Sequence, residues 1–498
     1  MEDSLKKRYI IKLLSNIVTG IINVILVAIV PKALGPVTYG QFSFIQQFFN
    51  QVIAFLDAST SIAFFTKLSA SHTRKDLLSF YFLFAFLLLT VLSIFIVSID
   101  VFGYTNTFLP AIPVKYIYFG MWFGFFTWLT QVFIKISDAH ALTVSVELIK
   151  ILHKIAILFL LLYMVHYTLF DLSSYFYFHY ISLLSFLMVI TVLFIRKSIF
   201  TKQIFKKIKY ISLIMEFYRF SSPLFVFNSV AISVSLFDIW LLQKVSGSVQ
   251  TGYYGLAYSL AAMCFVFTSA MTPVITREFS KSYASKNIED IQKLFKRYVP
   301  MLYAIAAYFG VFISFQSENL IHIFTNESFK GAFFALVIIA FFPIHQTYGQ
   351  LNGSLFFAMG ETKPYSKIGI FVSFSGLVLS YLFIFHYKLG AEGLALKMVL
   401  TQVVGVNIQL FFNVKVLKIK MFPFLFHQFY TVVFFVVLAF FASSIPDIMS
   451  GYLSNFILKG MVYTILVCIG VFIVPVVFST NKNELFSIMR KIKNKVNL

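Results

Sequence analysis

Apolar residues run along this chain in long blocks, and the polar residues fall between the blocks instead of alternating within them. Blocks of ~20 residues match the ~30 Å hydrocarbon core of a bilayer at ~1.5 Å of helix rise per residue. Only helices and closed barrels satisfy their backbone groups in lipid, and the lack of period-two alternation selects helices. The pattern predicts fourteen spans, at 9–30, 40–66, 78–99, 113–134, 144–165, 173–195, 216–243, 252–276, 298–315, 332–357, 366–386, 393–413, 427–445 and 456–479. Lys6, Lys7 and Arg8 precede the first block as they would a signal peptide. The block is long enough to span and no small-x-small cleavage site follows it, so it is read as a membrane helix.

The segments between blocks set the orientation. With the N-terminus on the cytoplasmic side, the inner segments and their span edges hold 30 Lys and Arg residues and the outer loops hold 5. That bias predicts both termini inside. It also supports an even number of spans, because a missed span would invert every later loop. Two inner segments, 196–215 and 277–297, are basic with apolar residues at helical spacing (Ile288, Ile291, Leu294 and Phe295 in the second), and are expected to lie on the anionic leaflet.

An offset of 212 residues partly overlays the chain on itself. Gly35 and Gly40 fall on Gly247 and Gly252, each pair in an outer hairpin where glycine permits a tight turn. The offset makes each repeat six helices long, so the repeats run parallel about an axis along the membrane normal. The expected fold is an all-α membrane protein of about fourteen transmembrane helices, with two pseudo-symmetric six-helix lobes plus two C-terminal helices. The lobes are expected at 1–195 and 216–413, joined by the linker 196–215 and followed by two helices and a basic tail at 414–498. A cleft between two such lobes suits alternating access.

Composition removes most other classes. Of 498 residues, 59% are hydrophobic and 12% charged, against about 25% charged in soluble domains. The net charge of +21 is dealt out in short loops and does not form one patch, which argues against a nucleic-acid partner. Two cysteines, Cys264 and Cys468, sit within apolar blocks and give neither a disulfide framework nor a metal motif. No zincin, P-loop or GxSxG pattern is present, and no loop is large enough for a catalytic domain. No cofactor is expected.

Charges inside spans then stand out, since each costs about 2.5–3.5 kcal/mol on insertion scales. Glu147, Lys150 and Lys154 lie at i, i+3 and i+7 on one face of the fifth span. Two readings compete. Glu147 and Lys150 form an ion pair that braces helices, or the two lysines form a cationic cavity wall for an anionic substrate. Arg219 opens the seventh span beside Glu216, as a cavity cation or as one half of a surface ion pair. Lys397 near the outer end of the twelfth span is a further candidate cation. Asp57, Asp238 and His345 are candidate sites for H+ or Na+ coupling; the alternative for Asp238 is a cap on helix packing, and a lone membrane histidine such as His345 or His179 is more often a helix–helix hydrogen-bonding group than a proton relay.

The same segments resemble a known family. Ala33-Leu34-Gly35-Pro36-Val37-Thr38-Tyr39-Gly40 is similar to the leucine-glycine-proline…tyrosine-glycine motif of bacterial polysaccharide flippases, the Wzx-type carriers of the MATE-like (MOP) superfamily. Asp57, the series Ser222-Pro223, Asp238 and Gly252-Tyr253-Tyr254-Gly255, and the turns at Met359-Gly360-Glu361 and Gly390-Ala391-Glu392-Gly393 fit the same series. Asp57 lacks the glycine-containing sequence that follows it in the family, and Phe324-Thr325-Asn326 replaces a usual phenylalanine-glycine. The resemblance covers about residues 5–410. It implies a carrier that moves an undecaprenyl-diphosphate-linked oligosaccharide (an O-antigen, capsule or exopolysaccharide unit) across the bacterial cytoplasmic membrane. Its partners would be the lipid-linked glycan, membrane lipids and the polysaccharide assembly machinery. A lipid II flippase and a cation-coupled multidrug exporter share the implied fold. A membrane glycosyltransferase or polymerase is the rival from another class, but the acid/base pair or arginine-rich outer loop such enzymes usually need is absent.

Overall fold

A computed structural model describes residues 5–70, 74–200, 210–447, 451–484 and 486–487. Helices dominate the described residues, and none of them is in a strand. The chain divides into two compact units, Met1–Gly252 and Tyr253–Leu498.

The first unit holds α1 (Leu5–Asp57), α2 (Thr60–Ala70), α3 (Lys75–Val101), the short α4 (Thr105–Phe108), α5 (Val114–Ala139), α6 (Thr143–Tyr167), α7 (Leu172–Arg196) and most of α8 (Tyr210–Ala262). Its core joins Phe64, Leu68, Leu77, Phe133, Ile136, Ile190 and Phe194 to Leu213 and Phe217 at the start of α8. The second unit holds α9 (Phe265–Ala284), α10 (Ile288–Phe315), α11 (Ser317–Phe324), α12 (Phe333–Ile339), α13 (Phe342–Ala358), α14 (Thr362–Ser380), α15 (Gly390–Val416), α16 (Phe422–Ser443) and α17 (Tyr452–Ile473). Phe279, Phe295, Tyr303, Tyr348, Leu410 and Phe435 lie at its centre, each fully buried. Large apolar side chains also cover the outside. On α16, Phe422 is 72% exposed and Phe429 68%. That distribution suits lipid as the solvent.

Among the described residues, 12 helical stretches are long and apolar enough to cross a membrane, so the chain is read as a multi-pass membrane protein. Two of them are far longer than the rest: Leu14–Asp57 with 44 residues and Phe225–Ala262 with 38. Each is broken at one glycine. Gly35 has φ 72° and ψ 168°, and Gly247 has φ 79° and ψ 178°. These are the positions the 212-residue offset equates, and they share a backbone conformation that L side chains avoid.

The second glycine of each pair has another role. A Cβ placed on Gly40 would overlap the carbonyl of Ser248, and one on Gly252 would overlap the carbonyl of Pro36. The same additions would come to 2.8 Å from Gly252 N and 3.2 Å from Gly40 N respectively. The contact is reciprocal, since Pro36 and Ser248 are also related by the offset. The tight-turn role expected for both glycines therefore holds for the first only; the second permits backbone to touch backbone.

One other expectation changes. The second span does not run unbroken over 40–66. The helix stops at Asp57 and restarts at Thr60, with Ala58 (φ 47°) and Ser59 (φ 66°) in the left-handed region. The segment 277–297 divides between two helices, with its basic side chains exposed and one apolar face packed. Helices α9 and α10 run through it with only 285–287 between them, and Ile291 and Phe295 are fully buried. Of the linker 196–215, residues 201–209 lie outside the described part.

Candidate functional site: three charged clusters in the first unit

The break after α1 places Asp57 at a helix end, 7% exposed. Four side chains donate to its carboxylate. Ser61 Oγ reaches Oδ2 at 2.9 Å, while Tyr81 OH, Thr60 Oγ1 and Trp128 Nε1 reach Oδ1 at 3.1, 3.2 and 3.2 Å. Lys135 Nζ donates to Ser61 Oγ at 2.7 Å, so one hydroxyl bridges a cation to the carboxylate. Asn228 of α8 donates to Ser59 Oγ at 2.7 Å. Thr60 and Ser61 are supplied by the restarted helix, Tyr81 by α3, and Trp128 and Lys135 by α5. A hydrogen bond to a charged group contributes about 1.5–3 kcal/mol. Two such bonds offset the usual cost of holding a charge at this depth.

The face of α6 is different. Lys150 Nζ lies 3.3 Å from Glu147 Oε2, and Glu147 is nearly fully buried. Lys154 is half-buried one turn further on, near Lys150, His153 and His179. It has no hydrogen-bond or ion-pair partner among the described residues. His153 meets Ser185 at 2.9 Å. His179 is stacked on Phe42 at 5.2 Å, and its Nε2 is buried without a partner among the described residues. Glu147 pairs with Lys150 within the one helix, and Lys154 has no ion-pair partner among the described residues.

A third cluster ties the start of α8 to Lys67 of α2 and to Arg74, just before α3. Glu216 accepts from Lys67 at 2.8 Å and from both Arg74 terminal nitrogens at 3.1 and 3.3 Å. Arg74 also holds Asp76 at 2.9 Å. Asp76 and Glu216 push the guanidinium pKa further above its usual value. One of the two readings of Arg219 pairs it with Glu216, three residues away; the described partners of Glu216 are 142 and 149 residues away. The side chain of Arg219 lies outside the described part.

The remaining candidates are spread out. Asp238 of α8 is buried and engaged by neighbouring groups. Lys397 of α15 is 5% exposed and lies over Gly376 of α14, where an added Cβ would come within 2.9 Å of its Cε. His345 of α13 is buried edge-on to Tyr303 at 5.6 Å, and its Nδ1 has no partner among the described residues. Lys397 and His345 belong to the second unit, so each unit holds its own buried ionisable groups. Among the described residues no cluster of three or more His, Cys, Asp and Glu is placed to hold a metal.

With this geometry in place, comparison with solved structures locates the fold. A lipid II flippase, MurJ, in an inward closed conformation matches 92% of this chain and 98% of its own, with a TM-score of 0.68 at 16% identity. The chain has a MurJ-like fold. A multidrug resistance MATE transporter of the MOP superfamily, inward-facing, matches at TM-score 0.58 and 17% identity over 84% of this chain. An outward-facing MATE structure matches at TM-score 0.58 and 15% identity. No family model matches the sequence, and no curated protein matches it. The structural neighbours are therefore MurJ and the MATE transporters. Sequence reasoning found Asp57 and the α6 face. It missed Tyr81, Trp128 and Lys135, which are 24, 71 and 78 positions from Asp57 and carry no local signal.

Proposed function

We propose that this protein is a flippase of the Wzx type, moving a diphosphate-linked oligosaccharide across the cytoplasmic membrane by alternating access. Lys154 carries the reading. A cation half-buried in a membrane helix, unpaired and beside a second lysine, is expensive unless an anion visits it. A lipid diphosphate supplies that anion in a low dielectric. The MurJ-like fold supports a lipid-linked substrate.

The fold reading that goes with it has fourteen spans in two six-helix lobes, both termini inside. A 44-residue helix is ~66 Å long, over twice the hydrocarbon core, so each of the two long stretches would cross twice, bent at Gly35 or Gly247. In alternating access, Asp57 is the site for a coupling ion, and the Glu216–Lys67–Arg74 cluster is a latch that opens when α8 moves.

Lipid II is the second substrate reading, favoured by the MurJ likeness. A cationic drug is disfavoured, because Lys150 and Lys154 would repel it. Deleting the gene and identifying the lipid-linked glycan that accumulates on the inner leaflet tests the proposal. A polysaccharide-repeat intermediate is the expected product. Accumulation of lipid II would replace this reading with the second, and no accumulated lipid-linked glycan would remove both.

A further inference from the structure

Away from these clusters, the second unit carries a cleft of ≈ 600 Å³ bounded by α10, the α15–α16 turn, α16 and the segment after α17. Sites for small molecules span about 300–1,000 Å³, so the cleft is sized for a headgroup and not for a lone ion. Three of its lining residues are lysines, Lys296, Lys418 and Lys420, and none is acidic. All three are exposed, and none has an ion-pair partner among the described residues. The floor is buried and mixed, with Pro300, Phe424 and His427.

The walls are braced. Gln292 Nε2 donates to the Leu417 carbonyl at 2.7 Å, which fixes the end of α15, and Lys418 follows in the left-handed region at φ 53°. Tyr430 OH donates to the Val476 carbonyl at 3.1 Å, and His427 Nε2 lies 2.9 Å from the Val477 carbonyl. These bonds hold the chain after α17 against α16. Lysines in short inner turns follow from membrane orientation alone. Convergence of three on one braced cleft does not.

The outer flank of α16 says what else the occupant has. Phe422 and Phe426 are stacked at 6.0 Å, and Phe426 lies 5.3 Å from Tyr430, which lines the cleft. Phe422 and Phe426 are 72% and 54% exposed. An aromatic ridge thus runs from the cleft along the lipid-facing side. An occupant that uses both surfaces is an anionic amphiphile.

We propose that this cleft binds the phosphate headgroup of an anionic membrane lipid, with the lysines on the phosphate and the acyl chains along the Phe422–Phe426 ridge. Basic pockets between helices at the inner surface take such headgroups. The site is separate from the α6 lysines and does not depend on the transport reading.

The test uses the full-length protein in detergent, titrated with dioctanoyl phosphatidylglycerol, dioctanoyl phosphatidylcholine or inorganic phosphate, with bound species counted by native mass spectrometry. Wild type should take phosphatidylglycerol well ahead of phosphatidylcholine. Each lysine near a membrane surface is worth about fivefold in binding. Lys296→Gln, Lys418→Gln and Lys420→Gln together should therefore cost about a hundredfold for phosphatidylglycerol and leave phosphatidylcholine unchanged. The three Lys→Arg changes should keep the preference. If the triple glutamine variant does not fold, Lys418→Gln and Lys420→Gln singly should each show the fivefold loss. Equal binding of the two lipids by wild type, or an undiminished preference in the glutamine variants, overturns the proposal. Inorganic phosphate binding as tightly as phosphatidylglycerol overturns the lipid assignment in favour of free phosphate.

Discussion

Asp57 and Lys154 are both ionisable groups within membrane helices of the first unit, yet they are housed in opposite ways. Asp57 sits at a helix break with four side-chain donors on its carboxylate and Lys135 one hydroxyl away. Lys154 sits in an unbroken helix whose one carboxylate, Glu147, is paired with Lys150. A charge that carries its own partners is stable in the resting protein. A charge without them stores a cost that a ligand can remove. On the proposed function, the contrast separates a charge that is already partnered from one that a substrate would partner.

The sharpest way to break that contrast is to remove the waiting charge. Lys154→Ala should lower glycan export by at least about a hundredfold, the scale of one lost charge-assisted contact at ~3 kcal/mol, while protein level in the membrane stays normal. Lys154→Arg should retain part of the export, because charge is kept and geometry changes. Normal export by a Lys150→Ala, Lys154→Ala double variant would leave the α6 face without a role in transport.

Asp57→Ala should do the reverse, acting first on stability. It strands several donors around a cavity, and breaking a buried charged network costs about 3–5 kcal/mol. Thermal unfolding of the purified protein should show the loss directly. Asp57→Asn keeps the shape and one acceptor, so its unfolding should lie between. An Asp57→Ala protein as stable as wild type but inactive would show that the network is not structural, and would leave ion coupling as its role.

Smaller effects test the edges of each cluster. Trp128→Phe removes one of four donors to the carboxylate and should cost about 1.5–3 kcal/mol in unfolding. Glu216→Gln weakens an ion cluster that is partly exposed, so its stability cost should stay below about 1 kcal/mol. Its larger effect should be on conformation. A cysteine placed between Lys67 and Arg74 should react faster with a water-soluble thiol reagent in the Glu216→Gln background. An unchanged rate would mean that the cluster does not restrain this part of the chain.

These two clusters also mark how far the sequence alone could be read. Helical spacing put Glu147, Lys150 and Lys154 on one face, because i, i+3 and i+7 contacts are local. Which lysine keeps the carboxylate is a matter of side-chain geometry, and no spacing contains it. The bonds to Asp57 from Tyr81 and Trp128 join distant parts of the chain, and their apolar rings hide them in hydrophobic blocks. Lys296, Lys418 and Lys420 were visible only as ordinary loop charges. The long apolar blocks, by contrast, were legible in outline, since bilayer thickness dictates their length, although α10 begins ten residues before its expected span. The break at Ala58–Ser59 was not, because neither residue is a glycine or proline.

The reciprocal contact of Gly40 and Gly252 has a mechanical side. Packed helices usually interlock like gear teeth, and turning one against the other means lifting side chains out of their grooves. Where backbone rests on bare backbone there are no teeth. The surfaces meet as a plain bearing: closely fitted, low in friction and intolerant of any added thickness. A single methyl group at either glycine would act as grit in that bearing, and its damage would fall on motion as well as on fit.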